Sequence, residues 1–463
     1  MNQSGSQHKK LIVALIAITL LGFVVRLLTS NFIAAHLNDP GWFQSGSFAI
    51  FDRQAQNALD GKESFFWIPD SSRTDLIQYP PDNKLWIGFI YTVTGVRSAL
   101  SVQRVQLVFD SLSVLLIIGI GVSSFGWNVG LIAGLLAALS PLLALYGVTP
   151  GADAITSWFV LASVWWLVLA CKRKSVAHAI VAGVLLGLAC WIRVNPLFLF
   201  GAWFVGLLFF LKAPLKKRLQ LGLAASFATI LVIAPVVVRN LVVFYPQIAP
   251  TGLNVGWNFL AGIGETERGA EFGAPCCDQQ MIEQDRIAMG LPPDAPLGLV
   301  YPDGITRDRQ RGQRALAIIK AHPVWYVKVM ARRFLGHLKL AGKPVPSLGS
   351  TGVNVTSEKT LPPALQRFPF SVTVNALGMI QSVLRYLALP LILVGVWISF
   401  RNNVEMAGVL MTTVVYYLAS LSVAHSEVRY ALPMHGILCV FAAVAASKVR
   451  IPRPSPMILK TSP

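Results

Sequence analysis

Ten long apolar segments constrain the fold of this chain more than any other feature of its sequence. A helix that crosses a hydrocarbon core about 30 Å thick needs roughly 20 mostly apolar residues. The segments are continuous in Leu, Ala, Val and Gly and do not alternate as the strands of a membrane barrel do. They lie at residues 11–28, 102–122, 128–146, 154–171, 177–193, 195–211, 219–243, 374–399, 404–424 and 430–447. The sequence therefore predicts an all-α polytopic membrane protein with about ten transmembrane helices.

Basic residues predict the orientation of these helices. With ten spans, the clusters at residues 9–10, 172–174, 212–218, 401 and 448–453 all fall on one side. Short loops rich in Lys and Arg stay in the cytoplasm, so that side is predicted to be cytoplasmic and both termini to lie there. The first apolar run is predicted to be a retained anchor, because no small-residue cleavage site follows it.

The same charge pattern defines three parts of the chain. These are an N-terminal membrane domain (1–243) with an outer loop (29–84), an extracytoplasmic segment (244–372), and C-terminal helices with a cytoplasmic tail (373–463). A full span at Leu85–Val93 would place every later basic cluster outside, so this run is predicted to be interfacial or re-entrant.

The extracytoplasmic segment divides into two patterns. Residues 251–302 scatter Gly, Pro and acids and are predicted to be irregular, whereas residues 307–340 have a helical apolar pattern. Nine Lys and Arg residues of the second stretch either rest on anionic head groups or contact a lipid-linked phosphate.

The first outer loop reverses the charge of the chain. Residues 31–84 contain seven acids and four bases, although the whole chain has a net charge of +18. Ser47–Leu59 places Phe48, Phe51 and Ala55 on one helical face and is followed by Gly61, which predicts an amphipathic helix on the membrane surface. An acidic and aromatic platform of this kind indicates a functional site.

Charged residues within or at the ends of the spans are costly unless they are paired or face a cavity. Arg26, Arg193 and Arg239 lie near the outer ends, where they either snorkel to the head groups or line a cavity for an anionic lipid. Asp110 is expected to pair with a neighbouring Arg. Asp153 either caps the next helix or belongs to a site.

The ionisable residues that could form a site fall on one side of the membrane, the predicted outer side. The outer connection at residues 425–430 adds His, Glu, Arg and Tyr to the acids of the first loop. Transporters usually place ionisable groups near the bilayer midplane and show two similar halves, and neither pattern is found. Outer acids therefore favour an enzyme over a transporter.

Several short motifs together resemble the GT-C superfamily of integral-membrane glycosyltransferases, in bacterial relatives of the dolichyl-phosphate-mannose protein mannosyltransferases and lipid A aminoarabinose transferases. The resemblance extends over most of the chain. It rests on Arg26, residues 55–61, Tyr79-Pro80-Pro81, Ala138-Leu139-Ser140-Pro141, Asp153, Gly187-Leu188-Ala189 with Arg193, Arg239-Asn240, His322-Pro323 and residues 429–433.

The resemblance implies a polyprenyl-phosphate sugar donor, an acceptor on the outer face of the cytoplasmic membrane, and a first-loop carboxylate as catalytic base. The acid typical of the family would align near Ser47, where this chain has none. Asp52 and Asp39 are the nearest substitutes. The remaining site residues are expected to be phosphate partners (Lys84, Arg193, Arg429) and sugar or positioning contacts (Tyr79, Asp153, His425, Glu427, Tyr430).

The expected partners are the lipid-linked donor, a glycan, lipid or protein acceptor, and membrane lipids, but not nucleic acid. No cofactor is required by these motifs, and the resemblance leaves a divalent cation open. The alternatives are a non-catalytic lipid-glycan transporter and a glycan ligase or polymerase.

Overall fold

The computed structural model describes residues 2–35, 37–38, 47–77, 82–338, 387–425 and 427–448. These residues form helices and connecting turns, and no strand occurs among them. The helices are α1 (Asn2–Ala34), α2 (Ser47–Leu59), α3 (Asp82–Thr94), α4 (Ala99–Phe125), α5 (Trp127–Leu139), α6 (Pro141–Val148), α7 (Ala152–Arg173), α8 (Val176–Ile192), α9 (Leu199–Phe210), α10 (Leu215–Val243), α11 (Val255–Gly264), α12 (Asp278–Ala288), α13 (Gly304–Ala321), α14 (Pro323–His337), α15 (Leu387–Asn402), α16 (Val404–Val423) and α17 (Leu432–Lys448).

The predicted all-helical membrane class is confirmed, but the count of ten spans is not. Among the described residues, six helices are long and apolar enough to cross a membrane: α1, α4, α7, α10, α16 and the segment Val428–Lys448. The pair α5 and α6 adds a seventh if it is one span, although the two helices meet at a bend of 60°. Three further predicted spans are represented by the shorter apolar helices α8, α9 and α15. The predicted span 374–399 begins outside the described residues.

The bend between α5 and α6 has a local cause. Pro141 has no backbone N–H and biases the residue before it away from helical geometry. Ser140 accordingly has an extended conformation, and its hydroxyl accepts a hydrogen bond from the Leu143 N–H at 3.3 Å. Ser140 therefore ends one helix and caps the next.

The core of the bundle lies around α17, which packs against α4, α5, α7 and α16. Small residues allow close helix contacts at other positions. A Cβ atom on Gly183 of α8 would lie 2.2 Å from the carbonyl oxygen of Ala225 on α10. Such contacts between small residues favour tight packing of helices in a membrane, where the lipid is as apolar as the side chains.

Two of the predicted outer arginines are buried and paired. The Arg26 Nε donates to the Asp110 carboxylate, and Arg26 has no exposed surface. The Arg239 Nη1 donates to the Phe66 carbonyl at 2.7 Å, and its Nε donates to Asn240 Oδ1 at 2.9 Å. Both side chains are buried and hydrogen-bonded inside the protein, which is not the exposure that snorkelling to the head groups requires. The expected pairing of Asp110 is observed.

The amphipathic helix of the first loop has the predicted bounds. α2 buries Phe48, Phe51 and Ala55, and it packs on α3. α3 itself has 13 residues, which is too few to span a bilayer as a helix. Its length agrees with the interfacial or re-entrant prediction for Leu85–Val93.

The prediction that residues 251–302 are irregular is wrong. They contain α11 and α12. The first-turn amides of α11, those of Gly256 and Trp257, donate to the Asp308 carboxylate at 3.1 Å and 2.9 Å. This cap comes from a residue some fifty positions away in the chain, and capping by a distant side chain is not visible in the local sequence.

The second half of the segment predicted to be extracytoplasmic forms helices α13 and α14, as its apolar pattern predicted, with a break at His322-Pro323. Three of its arginines do not rest on head groups. Arg307 and Arg311 are buried and share the Asp285 carboxylate, and the buried Arg333 donates to the Gly262 carbonyl. The head-group and lipid-phosphate expectations are therefore wrong for these three residues.

Candidate active site

A cavity of about 420 Å³ lies where the connection between α16 and α17 meets α11 and α12. Its walls come from parts of the chain that are far apart in sequence, including the segment after α8 and the residues before α11. The charged and aromatic residues that line it are Arg193, Trp257, Glu265, Asp278, His425, Glu427, Arg429 and Tyr430.

Close backbone contact positions the connection between α16 and α17. The His425 N–H donates to the Asn258 carbonyl of α11 at 2.7 Å. A Cβ atom on Gly262, one turn further along α11, would lie 2.6 Å from the His425 nitrogen. Glycine is therefore required at position 262 for His425 to reach this wall of the cavity.

His425 is held between two carboxylates. Its Nδ1 lies 2.5 Å from Glu265 Oε1, and its Nε2 lies 3.4 Å from Glu427 Oε1. Burial lowers the pKa of this imidazole, but the hydrogen bonds to Glu265 and Glu427 outweigh burial and raise the pKa to about 10. The ring is therefore an imidazolium at neutral pH, which can hold acidic groups in place but cannot accept a proton.

Glu427 connects this histidine to the arginines. Its carboxylate accepts a hydrogen bond from Arg429 Nη2 at 2.9 Å. Burial alone would raise the pKa of Glu427, but Arg429 and His425 lower it to about 2. Glu427 is therefore ionised over the physiological range.

Two guanidinium groups converge on Asp153 at the first turn of α7. Arg193 Nη1 lies 2.7 Å from Asp153 Oδ1, and Arg429 Nε lies 3.8 Å from Asp153 Oδ2. Both groups also lie over the Tyr430 ring, at 4.7 Å and 5.4 Å from its centroid. A carboxylate and an aromatic ring thus hold two cations side by side, and the Arg429 side chain remains about one-third exposed.

Two further acids, Glu265 and Asp278, line the cavity. Burial raises the pKa of Asp278, at the start of α12, although the nearby His425 lowers it. One oxygen of Glu265, Oε2, has no hydrogen-bond partner among the described residues. The cavity therefore combines two arginines with carboxyl groups, a combination suited to a substrate that has both a phosphate and hydroxyl groups.

The structure brings together six of the ten predicted site residues. Arg193, His425, Glu427, Arg429 and Tyr430 line the cavity, and Asp153 is paired with two of them. Asp153 lies in the first turn of α7, which no side chain caps, and its carboxylate joins the candidate site through the two arginines.

Of the other four predicted site residues, the two that the structure describes, Asp52 and Lys84, do not line this cavity. Asp52 accepts hydrogen bonds from the Tyr91 hydroxyl and from Gln56, the latter at 3.1 Å, in the contact between α2 and α3. Lys84 is buried, and its Nζ donates to the Ser64 carbonyl at 3.3 Å. Asp39 and Tyr79 lie outside the described residues.

Sequence reasoning missed Glu265, Asp278 and Trp257. All three lie in the stretch predicted to be irregular. The apolar pattern of residues 255–264, directly before Glu265, was the available signal of a helix that ends at an acid. Among the described residues, no group of three or more His, Cys, Asp or Glu side chains is arranged to hold a metal ion.

Comparison with a known family identifies similarity in the N-terminal half. Residues 78–238 match the family model for dolichyl-phosphate-mannose-protein mannosyltransferase, which is about one-third of the chain. No curated protein matches the chain.

Solved structures with the same fold include the archaeal oligosaccharyltransferase AglB from Archaeoglobus fulgidus in complex with an inhibitory peptide and a dolichol-phosphate. It has a TM-score of 0.52 and 14% identity, and the match covers 95% of this chain and 50% of that one. The apo form of the Archaeoglobus fulgidus oligosaccharyltransferase has a TM-score of 0.51 and 16% identity over 94% of this chain and 50% of that one. A further structure of this enzyme, with a TM-score of 0.50 and 13% identity over 94% of this chain and 48% of that one, is a complex with Zn and sulfate.

The chain spans about half the length of these solved structures. At this identity the likeness concerns the fold, and the family match concerns residues 78–238. Together they show that the chain shares the fold of these oligosaccharyltransferase structures and that residues 78–238 resemble the dolichyl-phosphate-mannose-protein mannosyltransferase family.

Proposed function

We propose that this protein transfers a sugar from a polyprenyl-phosphate donor to an acceptor hydroxyl, and that transfer takes place in the 420 Å³ cavity on the outer face of the cytoplasmic membrane. The observation that carries the proposal is the convergence of Arg193 and Arg429 on Asp153 at a cavity that carboxyl groups also line. The family match and the fold support a glycosyltransferase, and the dolichol-phosphate complex of the solved relative supports a lipid-linked donor.

Arg193 and Arg429 can bind the phosphate that leaves in the proposed reaction. In the proposed reaction the acceptor oxygen attacks the anomeric carbon, the bond from that carbon to the phosphate oxygen breaks, and the phosphate leaves with the electron pair. Guanidinium groups stabilise this growing negative charge because they donate two hydrogen bonds in a fixed geometry. Asp153 and Tyr430 hold the two groups in position before the donor binds, so little reorganisation is needed during the reaction.

The carboxyl groups that line the cavity can bind the sugar of the donor. Carboxylates accept hydrogen bonds from sugar hydroxyls, and Glu265 has an oxygen without a partner among the described residues. His425 is charged at neutral pH and therefore orients Glu265 and Glu427 rather than acting as the base.

The expected bases are the first-loop carboxylates Asp52 and Asp39. Because Asp52 is held in the contact between α2 and α3 and does not line the cavity, the Asp278 carboxyl, which does line it, is the alternative base. A direct displacement inverts the configuration at the anomeric carbon. Tyr79 and Lys84 remain expected contacts of the donor. No step requires a metal ion, and dependence on a divalent cation is to be measured together with activity.

The test is donor consumption by the purified full-length protein. It is incubated with a panel of polyprenyl-phosphate sugars and candidate acceptors, with and without a chelator, and the release of free polyprenyl phosphate is followed. Release that requires an acceptor supports the proposal. Movement of labelled lipid-linked sugar across a vesicle membrane without cleavage would instead identify a transporter, and transfer of a whole glycan chain would identify a ligase or polymerase.

A further inference from the structure

A second cavity lies at the other end of the helix bundle. It has a volume of about 490 Å³ and is formed by the end of α4, the start of α5 and the ends of α7, α15 and α17. α7 begins beside Asp153 and ends beside this cavity, and its 22 residues span about 33 Å. The second cavity is therefore separate from the candidate active site.

The first turn of α5 opens into this cavity. Gly126 is the N-cap residue, and no side chain caps the helix. The first amides of a helix have no partner within it, and together with the helix dipole they form a site for an anion. Gly126, Asn128 and Val129 line the cavity at this turn.

An unsatisfied hydroxyl lies beside these amides. Ser124 lines the cavity and is only 6% exposed, yet its Oγ has no hydrogen-bond partner among the described residues. A buried hydroxyl without a partner is costly, so its presence in a cavity wall indicates a ligand that completes the hydrogen bond.

Two lysines complete the cavity. Lys172 and Lys448 line it, and Lys172 Nζ donates to the Ser123 carbonyl at 3.3 Å. No Asp or Glu is among the described residues that line it. Both lysines have exposed side chains, so their positive charges are available at the mouth of the cavity.

We propose that this cavity is a binding site for a phosphate group, held by the first-turn amides of α5, the Ser124 hydroxyl and the ammonium groups of Lys172 and Lys448. The phosphate belongs either to the head group of an anionic phospholipid or to free inorganic phosphate. The site is independent of the proposed transferase reaction.

Thermal unfolding of the full-length protein distinguishes the two sources. The midpoint is measured in nanodiscs of pure phosphatidylcholine, in nanodiscs that contain phosphatidylglycerol, and in pure phosphatidylcholine with added inorganic phosphate. A rise with phosphatidylglycerol alone identifies a lipid head group, and a rise with inorganic phosphate identifies the free ion. No rise in either condition would overturn the proposal.

Matched variants separate a site from general charge attraction. The double variant Lys172→Ala/Lys448→Ala is expected to weaken the apparent affinity by roughly tenfold or more for the phosphate source identified above. Arg173→Ala/Lys212→Ala removes the same charge from residues that do not line the cavity, and it should retain wild-type affinity. Equal losses in the two double variants would show a diffuse effect and refute the site.

Ser124→Ala gives a readout that charge alone does not produce. Without ligand the variant should unfold at a higher temperature than the wild type, because it removes an unsatisfied buried hydroxyl. With ligand this advantage should shrink, because the wild type gains a hydrogen bond that the variant lacks. An advantage of the same size with and without ligand would exclude Ser124 from the site.

Discussion

The pH dependence of stability tests the charge state of His425. Below pH 6.5 both the unfolded and the folded protein hold a proton on this imidazole, and the stabilising contacts with Glu265 and Glu427 contribute fully. As the pH rises above 6.5, the unfolded chain loses this proton, whereas the folded protein keeps it up to about pH 10. The free energy of unfolding must therefore fall through this interval.

The size of this fall in the free energy of unfolding follows from the single proton that the folded state retains on His425. Each pH unit in which the folded state holds one proton more than the unfolded state lowers the free energy of unfolding by about 1.4 kcal/mol. Over the interval from pH 6.5 to 10 this amounts to about 5 kcal/mol at most. The His425 side chain is only 7% exposed, so water screens its two ion pairs weakly.

The assay compares slopes, because cysteines and tyrosines also titrate at high pH. Thermal or denaturant unfolding is followed by intrinsic fluorescence at several pH values between 6 and 9. His425→Gln removes the titrating group and can still donate a hydrogen bond to one carboxylate, so the variant should lose stability at pH 6 and show a flatter slope. His178→Gln, at the opposite end of the bundle, is the matched control and should keep the wild-type slope. A wild-type slope in folded His425→Gln protein would refute the imidazolium.

Three further predictions concern the arginines and the topology. Arg429→Ala should lower donor turnover by about 10²-fold, and Arg429→Lys less, because an ammonium group cannot bind phosphate through two parallel hydrogen bonds; unchanged turnover in folded Arg429→Ala would remove this residue from the reaction. Asp110→Asn should lower the free energy of unfolding by about 3–5 kcal/mol because it leaves the buried Arg26 charge without its partner, whereas Arg26→Met/Asp110→Leu should recover most of this loss; a mild Asp110→Asn variant in denaturant unfolding would contradict the pairing. In intact cells that express a protein without its native cysteines, Asp294→Cys should react with an impermeant thiol reagent and Lys216→Cys should not; the reverse labelling would place the candidate site in the cytoplasm.

The sequence predicted features that depend on local composition. Long apolar runs predicted the helical membrane class, and the apolar face of Ser47–Leu59 predicted α2 with the observed bounds. The density of ionisable residues at 425–430 predicted one wall of the cavity. These signals are local, since an apolar run or a short charged turn has the same physical meaning wherever the rest of the chain lies.

The features that escaped prediction depend on partners distant in sequence. Asp308 caps α11, and Asp285 neutralises Arg307 and Arg311. The spacing of Lys and Arg along a helix is the same in sequence whether these residues face lipid head groups or a buried carboxylate. Only the contact of Asp285 on α12 with Arg307 and Arg311 on α13 distinguishes the two, and it makes these bases part of an internal charge cluster.

Asp52 is the expected catalytic base that can be tested most directly, because the structure describes its contacts. Its two oxygens accept hydrogen bonds from Tyr91 and Gln56, so the side chain has a structural role in the contact between α2 and α3 that a simple loss of activity would not separate from catalysis. Asp52→Asn keeps an oxygen that can accept the Tyr91 hydroxyl but removes the charge that binds a proton.

If Asp52 is the base, Asp52→Asn should lower turnover by about 10²–10⁴ with little change in unfolding temperature. Tyr91→Phe removes the structural hydrogen bond but leaves the carboxylate, so it should lower the unfolding temperature and retain most of the turnover. A loss of turnover in both variants in proportion to their loss of stability would assign Asp52 a structural role. Asp39→Asn is then the next variant, and near-normal turnover in both Asp39→Asn and Asp52→Asn would exclude the two expected bases of the first loop. The Asp278 carboxyl, which lines the cavity beside His425, would then be the group to test.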